Sequence, residues 1–312
     1  MTDPESLDPV LVEVPSALDG ERVDRVVSMV TDLSRTEATK LVQSGAVTMN
    51  GVVSTKGAER VKEGSTLEIL VPTKAEAVLP APDSSIHVPV VFEDEHVIVV
   101  DKPADLVVHP GAGHSDSTLV NALLALFPEI AEVGDPQRPG IVHRLDQGTS
   151  GLLSVARSQL AYESLVSQLA ERSVDRRYRT LVWGHPSSSR GVVDAPIGRS
   201  PRHPTKMAVT AKGKPARTRY EVVHLFEEPT VVAELECHLE TGRTHQIRVH
   251  LSAIGHSVVG DSRYNGVRQS LQCPRPFLHA ELLGFDHPLT GEHLEFTSEL
   301  PQDLAEVLDR LS

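Results

Sequence analysis

A basic and an acidic side chain stand two residues apart in GIVHRLDQGTSGLL, residues 140–153, between two short apolar runs. On a strand, Arg144 and Asp146 would point to the same face, because side chains alternate between faces. The glycines at 148 and 151 allow a sharp turn and the close approach of a ligand. Asp146 could serve as a turn or cap residue, a salt-bridge partner, a metal ligand, or a nucleophile or general base. Taken in isolation, such an Asp more often has a structural role.

The rest of the sequence argues against several kinds of catalytic site. It contains no HxxxH or HExxH motif that would pair two histidines on a helix for a metal. Glycoside hydrolysis needs two flanking carboxylates, and this stretch supplies one. A nucleophilic serine in a GxSxG turn is also absent, as are Walker and Rossmann motifs. We therefore expect neither a metal nor a cofactor.

The elements around this stretch predict an α+β fold. Short strands are expected at 141–145 and 151–156, on either side of the Asp146 turn, followed by a helix over 159–171 and a strand over 178–184. Strands in unequal groups with helices between them favour a mixed, mostly antiparallel sheet flanked by helices. We assign residues 88–312 to this domain.

A smaller unit precedes that domain. Residues 1–15 are predicted to be a polar tail, residues 16–75 a small αβ domain, and residues 76–87 a linker that carries two prolines. Within the small domain, Arg22-Val23 to Val30 has the apolar spacing of a helix. Ser34 and Glu37 form the pattern of a capping box at the start of a second helix. Asn50-Gly51 predicts the turn of a hairpin.

The segment LSRTEATKLVQSGAVTMNGVVSTKGAERVKEGSTLEILVP, residues 33–72, resembles an S4 RNA-binding domain. The shared features are a helix pair, a G-x-V-x-x-N-G turn and a closing strand. The resemblance implies that Arg35, Lys40 and Lys56 face RNA phosphates.

Composition and charge point to a soluble intracellular protein. Cys237 and Cys273 form no CxxC pair, which suits a reducing cytoplasm. We predict no secretory signal and no membrane span. The net charge is −13, yet twelve Lys and Arg fall between Arg172 and Arg219 against two acidic residues, so this run carries about +10. Such a basic stripe on an acidic protein favours a nucleic-acid partner.

GIVHRLDQGTSGLLSVARS resembles the signature of the RluA family of pseudouridine synthases, H-R-L-D followed by T-S-G-L. Further parts of the family pattern follow the same order along residues 88–300. They are FEDEHVIVVDKPADLVVHPGAGH, STLVNALL, DRRYRTLVWG, DAPIGRSPRHPTKMAV, LETGRTHQIRVHLSAIGHSVVGDSRY and FLHAELLGFDHP. A preceding S4 unit is typical of the RluD-like subgroup, whose members modify large-subunit rRNA.

The resemblance implies an isomerase that converts uridine to pseudouridine without a cofactor. Asp146 stands at the essential catalytic Asp, Tyr178 at an aromatic that stacks on the target uracil, and Arg248 at a basic partner of the Asp. A guanidinium beside a carboxylate favours its ionised form. The target uridine must leave its stack to be reached. Many relatives have Lys-Asp after the catalytic Asp, whereas this chain has Gln147-Gly148, and we assign position 147 no role.

Seven further side chains are expected to contact RNA in the catalytic domain. Loop 198–206 is expected to clamp phosphates beside the site. The seven residues are Arg144, Arg177, Arg199, Arg202, Lys206, Arg243 and His245.

Two other functions stay open at this point. The same reaction could act on tRNA, because family members differ in substrate through loops and appended domains. The chain could also be an RNA-binding factor in ribosome assembly. We expect a monomer that contacts RNA and no membrane.

Overall fold

The computed structural model describes residues 7–31, 33–72, 79–110, 116–203 and 205–312. The chain forms two compact units, Met1–Val78 and Leu79–Ser312. No helix in these ranges is both long and apolar enough to cross a bilayer.

The first unit is a four-stranded sheet packed against two helices. Its sheet is antiparallel, in the order β1-β4-β2-β3. A short 3-10 turn, Ser16–Leu18, follows the first strand. The elements are β1 (Leu7–Glu13), α1 (Val23–Val30), α2 (Arg35–Gln43), β2 (Val47–Met49), β3 (Val52–Val53) and β4 (Thr66–Pro72).

The two helices of this unit form as the sequence predicts. Val23, Val26 and Val27 share one face of α1 and are fully buried, as the helical period requires. At the start of α2, the Ser34 hydroxyl accepts the Glu37 amide, and the Glu37 carboxylate accepts the Ser34 amide at 2.8 Å. The predicted capping box is confirmed.

The predicted polar tail at residues 1–15 is wrong for the part that the structure describes. Leu7–Glu13 forms β1 and pairs along its whole length with β4. Val10 and Val12 are partly buried and Val14 fully so. This period-two alternation is the signature of an edge strand, and the surrounding acidic residues obscured it. Residues 1–6 lie outside the described ranges.

The second unit contains the larger sheet. In the residues that the structure describes, it comprises a nine-stranded sheet, a separate two-stranded hairpin and four helices. The elements are β5 (Val90–Glu93), β6 (Val97–Lys102), α3 (Leu119–Leu126), a 3-10 turn (Pro128–Glu132), β7 (Ser150–Ala156), α4 (Gln159–Glu171), β8 (Asp175–Trp183), β9 (Arg190–Asp194), β10 (Ile197–Arg199), β11 (Met207–Val209), β12 (Arg217–Phe226), β13 (Val232–Leu239), α5 (Gln246–Ala253), β14 (Leu278–Asp286), β15 (His293–Thr297) and α6 (Gln302–Leu308).

The large sheet is mixed but mostly antiparallel, which confirms the predicted α+β class. Its order is β5-β6-β7-β14-β8-β13-β12-β9, with β15 also paired to β14. β7 and β14 form its parallel pair. A separate hairpin joins β10 and β11.

The central strands β6 and β7 of this sheet are buried on both faces. Ile98 and Val100 of β6 pack into a core with α3 and α5, whereas Val97 and Val99 pack into a second core with α4. Strands buried on both faces read as continuous apolar runs, as HVIVV does here. The sheet is therefore a rigid support for loops at its edges.

The predicted linker at 76–87 is wrong for its second half. The Asn121 side-chain amide donates to the Ala81 carbonyl at 2.7 Å, and the Asp83 amide donates to the Asn121 carbonyl at 2.8 Å. Ile86 packs against the larger core. This segment is held because Asn121 on α3 offers both a donor and an acceptor. Residues 76–78 lie outside the described ranges.

Candidate active site

A cavity of about 600 Å³ opens in the second unit. Four stretches of chain form most of its walls: the loop over 138–149, the end of α4 with Arg172, the first residues of β8, and the segment from the end of β13 to α5. Asp146, Tyr178 and Arg248 all line it, although they come from parts of the chain up to 102 residues apart.

Asp146 is held by an arginine that a second carboxylate orients. Arg248 Nη1 donates to Asp146 Oδ2 at 2.9 Å. The other edge of the same guanidinium is bidentate to Asp261, with Nε–Oδ2 at 2.6 Å and Nη2–Oδ1 at 2.9 Å. The Asp146 side chain keeps 14% of its surface exposed, whereas Asp261 is fully buried. Arg248 is therefore fixed from behind and presents one N–H to Asp146.

Asp261 is a residue that the sequence analysis missed. It occupies a turn in which its Oδ1 also accepts the backbone amides of Arg263 at 2.9 Å and Tyr264 at 3.3 Å. Its position in GDSRY offers a turn signal but no sign of a partner 13 residues away.

The Arg248 guanidinium stays charged despite its burial. Burial alone would lower the pKa of Arg248, but the hydrogen bonds and negative charges of Asp261 and Asp146 outweigh it and raise that pKa above its usual value. Tyr264 packs against the same group, with its ring centroid 5.3 Å from Arg248 Cζ. The site thus sets two carboxylates against one permanent cation.

Tyr178 forms part of the cavity wall as a neutral phenol. It lies on β8 between Cys237 and Ala280 of the neighbouring strands, and 5% of it is exposed. Burial raises the pKa of Tyr178 to about 12, with Arg176 lowering it and Asp146 raising it. At neutral pH this side chain offers a ring face and a hydroxyl, not a phenolate.

The loop that carries Asp146 is held by its backbone carbonyls. The predicted strand over 141–145 is wrong: these residues form turns with one isolated bridge, Ile141 to Val155. The Thr149 amide donates to the Asp146 carbonyl at 3.0 Å. The apolar residues here are typical of a strand, yet among the described residues only Ile141 makes a bridge to a neighbouring strand.

Gln147 and Gly148 anchor the loop through their own backbone carbonyls. The Gln147 carbonyl accepts from the Asp105 amide at 2.8 Å and from Lys102 Nζ at 3.3 Å. The Gly148 carbonyl accepts from Arg275 Nη1 at 3.1 Å. Because main-chain oxygens make these contacts, the departure from Lys-Asp leaves the loop anchored.

Lys102 and Arg275 are buried cations that sequence reasoning also missed. Lys102 Nζ donates to the carbonyls of Pro103 at 2.8 Å and Leu106 at 2.9 Å as well as to Gln147. Burial lowers the pKa of Lys102 to about 7, an effect that the charge of Asp146 opposes. Arg275 is bidentate to Asp303 on α6, at 2.6 and 3.0 Å. Both side chains hold the loop that carries Asp146 through its backbone carbonyls.

Gly151 is required by the sheet rather than by a ligand. Its φ is +111°, and an added Cβ would lie 2.3 Å from the Ala280 carbonyl. The parallel pairing of β7 with β14 therefore excludes any side chain at position 151.

The comparisons with known proteins decide the family. Residues 96–253 match the family described as RNA pseudouridylate synthase, and residues 21–67 match the S4 domain. The chain belongs to the RNA pseudouridine synthase family. The resemblances drawn from the sequence are confirmed, and the enzyme is an isomerase that acts on RNA.

Relatives of this pseudouridine synthase are similar over nearly their whole length. It is 42% identical to "Ribosomal large subunit pseudouridine synthase D" of Pseudomonas aeruginosa, with 96% of this chain and 94% of the relative covered. It is 43% identical to an uncharacterized RNA pseudouridine synthase of Bacillus subtilis, covering 93% and 94%. Among solved structures, human RNA pseudouridylate synthase domain containing 1 aligns with a TM-score of 0.58 at 30% identity, covering 74% and 90%.

Of the side chains predicted to contact RNA, three line the synthase cavity: Arg144, Arg243 and His245. Arg144 and Arg243 are exposed. His245 is the N-cap residue of α5, and its Nδ1 lies 2.8 Å from the Tyr264 hydroxyl, which accepts the Met207 amide at 3.2 Å. The His245 ring and the Tyr264 hydroxyl therefore share a hydrogen bond, and burial lowers the pKa of His245.

The other four lie outside the cavity walls. Arg177 points to the opposite face of β8 from Tyr178 and pairs with Asp175 at 2.8 Å. Arg199 and Arg202 are exposed near the β10–β11 hairpin, and Lys206 Nζ donates to the Arg263 carbonyl at 2.8 Å. Through Lys206 and Met207, this hairpin contacts Arg263 and Tyr264, which adjoin the Asp261 turn that holds Arg248. Its contact with RNA stays a prediction.

In the S4 unit, Arg35, Lys40 and Lys56 are all exposed. Arg35 and Lys40 lie on α2, and Lys56 lies in the loop after β3. Their contact with RNA is likewise a prediction.

The continuous basic stripe expected over 172–219 is wrong for half of its cations. Within the described ranges, at least six of the twelve pair with carboxylates. Glu240 alone accepts from Arg172, Arg217 and Arg219. Most of these carboxylates lie beyond residue 219, so counting charge within the run overstated its excess.

Within the described ranges, no group of three or more His, Cys, Asp or Glu side chains is placed to hold a metal ion.

Proposed function

We propose that this synthase converts uridine to pseudouridine in large-subunit rRNA, with Asp146 as the catalytic residue. The observation that carries the proposal is the partly exposed Asp146 carboxylate, held at the cavity by the buried Arg248–Asp261 pair. Relatives named ribosomal large subunit pseudouridine synthases, which align over more than 90% of this chain, support rRNA as the substrate.

The reaction requires a carboxylate but no external reactant. The N1–C1′ bond of uridine breaks, the base turns, C5 forms a bond to C1′, and the C5 proton is lost while N1 gains one. The ionised Asp146 attacks C1′ or C6, or removes the 2′ proton of the sugar. In each case Arg248 orients the carboxylate, because one N–H of a fixed guanidinium donates to it.

The target base must leave its stack to reach Asp146, which costs a few kcal/mol. The cavity offers compensation through Tyr178, since stacking on an aromatic ring contributes roughly 1–3 kcal/mol per base. As a neutral phenol, Tyr178 supplies this contact without adding negative charge beside Asp146.

The test is a map of pseudouridines in rRNA and tRNA from a strain that lacks this protein. Carbodiimide-based mapping and mass spectrometry should show one or more missing sites in large-subunit rRNA, restored by the intact gene. Missing sites in tRNA would move the substrate to tRNA. An unchanged map together with a ribosome-assembly defect would favour the binding-factor alternative.

The S4 unit should contribute RNA affinity rather than chemistry. We expect Lys40→Glu or Lys56→Glu to raise the Kd for the rRNA substrate about tenfold near physiological salt, because each reversal replaces a phosphate contact with repulsion. The rate at saturating RNA should not change, and Lys62→Glu, an exposed reversal on the same unit, is the control. Filter binding and single-turnover rates measure both quantities. Equal effects of all three reversals would remove the specific role of Lys40 and Lys56.

A further inference from the structure

Arg176 is a second buried arginine of the cavity, and the mechanism does not use it. It lies two residues before Tyr178 on β8 and lines the same wall. It is 5% exposed. Nη2 donates to the Leu239 carbonyl at 3.2 Å, and this is the guanidinium's one hydrogen bond within the described ranges. Nε is enclosed and has no partner there.

No carboxylate of the described ranges balances the charge of Arg176. Two other arginines of the cavity differ in this respect, since Arg172 pairs with Glu240 and Arg248 with two aspartates. Burial and the positive charge of Arg176 lower the pKa of His143 to about 3, so His143 is neutral. An unmatched buried cation destabilises a protein unless a ligand supplies the opposite charge.

The third guanidinium nitrogen, Nη1, adjoins the cavity wall at Gly242. A Cβ on Gly242 would lie 3.1 Å from it, so the glycine keeps space beside this donor. The same cavity is lined by Arg138, Arg144 and Arg243. This surrounding charge favours a full anion over a neutral base carbonyl, and phosphate oxygens fit guanidinium donors.

We propose that Arg176 binds a backbone phosphate of the substrate RNA next to the target nucleotide. The inference rests on the proposed RNA substrate. Residues i and i+2 of a strand share a face and lie about 6.5–7 Å apart. A base held at Tyr178 therefore places a neighbouring phosphate of its own strand within reach of Arg176.

The first test uses inorganic phosphate and the full-length protein. Phosphate should raise the Tm of the parent enzyme saturably, at ionic strength matched with chloride, and should not raise the Tm of Arg176→Met. Without phosphate, the Tm of Arg176→Met should equal or exceed that of the parent, because an unmatched buried charge is removed. An unfolded or strongly destabilised Arg176→Met would show that the charge is structural and would overturn the proposal.

The second test uses an rRNA fragment that carries the target uridine, with single methylphosphonate linkages placed one at a time around it. One neutral linkage should raise the Kd of the parent about tenfold, as should Arg176→Met on native RNA. The two changes should not add, because each removes the same contact. Arg172→Gln, which alters a cavity arginine already paired with Glu240, should still lose affinity at the same linkage.

Gly242→Ala provides a variant that retains the arginine. Its methyl group should weaken RNA binding in the same direction as Arg176→Met while leaving the fold intact. If every methylphosphonate linkage weakened RNA binding by Arg176→Met as much as it weakens binding by the parent, the proposed contact between Arg176 and a phosphate would be overturned. A parent enzyme that forms no pseudouridine on the fragment would instead overturn the proposed function, so the two failures are distinguishable.

Discussion

We expect Asp146→Asn to bind substrate RNA as the parent enzyme does and to form no pseudouridine. The amide has the shape of the carboxylate and can still accept from Arg248 Nη1, so the cavity should keep its form. It lacks the negative charge that attack or proton removal requires. Loss of a nucleophile or base in such a unit lowers kcat by at least about 10⁴-fold.

Single-turnover release of tritium from 5-tritiated uridine in the rRNA substrate measures the loss, with filter binding on the same RNA. Asp286→Asn makes the same chemical change at an exposed carboxylate that pairs with His293 outside the cavity, and its rate should stay within about twofold of the parent. Turnover retained by Asp146→Asn would contradict the catalytic role. Loss of both binding and thermal stability would make Asp146 a structural residue.

Local patterns predicted the elements whose stability is local. The capping box at Ser34 and the spacing of Val23, Val26 and Val27 set the two helices of the S4 unit, and these were correct. The order of motifs located Asp146, Tyr178 and Arg248 together, and the cavity brings all three to one place. Such patterns succeed because the interacting residues are near in sequence or occur in a recognisable order.

The parts that failed depend on distant partners. Ile141 and Val142 look like a strand, but Lys102 and Arg275 hold the following loop from 45 and 127 residues away. Charge counted along 172–219 could not include Glu240, which lies outside the run and neutralises three of its arginines. No spacing rule connects these residues, because the sheet brings them together.

Asp261 shows the same limit at the site itself. Its turn sequence explains why it accepts two backbone amides, but nothing local indicates that it also orients Arg248. The sequence therefore predicted the Asp146–Arg248 pair and missed the group that fixes its geometry.

Asp261 allows the effect of Arg248 on stability to be separated from its effect on catalysis. Arg248→Met should remove the cation between two carboxylates and leave Asp261 buried and unpaired. Breaking a buried pair in this way destabilises a protein by about 3–5 kcal/mol. Turnover should fall about 10³-fold because the hydrogen-bond donor that orients Asp146 is gone.

Adding Asp261→Asn to Arg248→Met should restore most of the stability and none of the turnover. The asparagine removes the buried charge, while its carbonyl can still accept the Arg263 amide. Urea unfolding measures the first effect, and single-turnover kinetics at saturating RNA the second. If turnover recovered together with stability, Arg248 would merely support the fold. If only stability recovered, Arg248 would have a role in catalysis. The double variant would then be folded, and its lost turnover would come from the missing guanidinium beside Asp146.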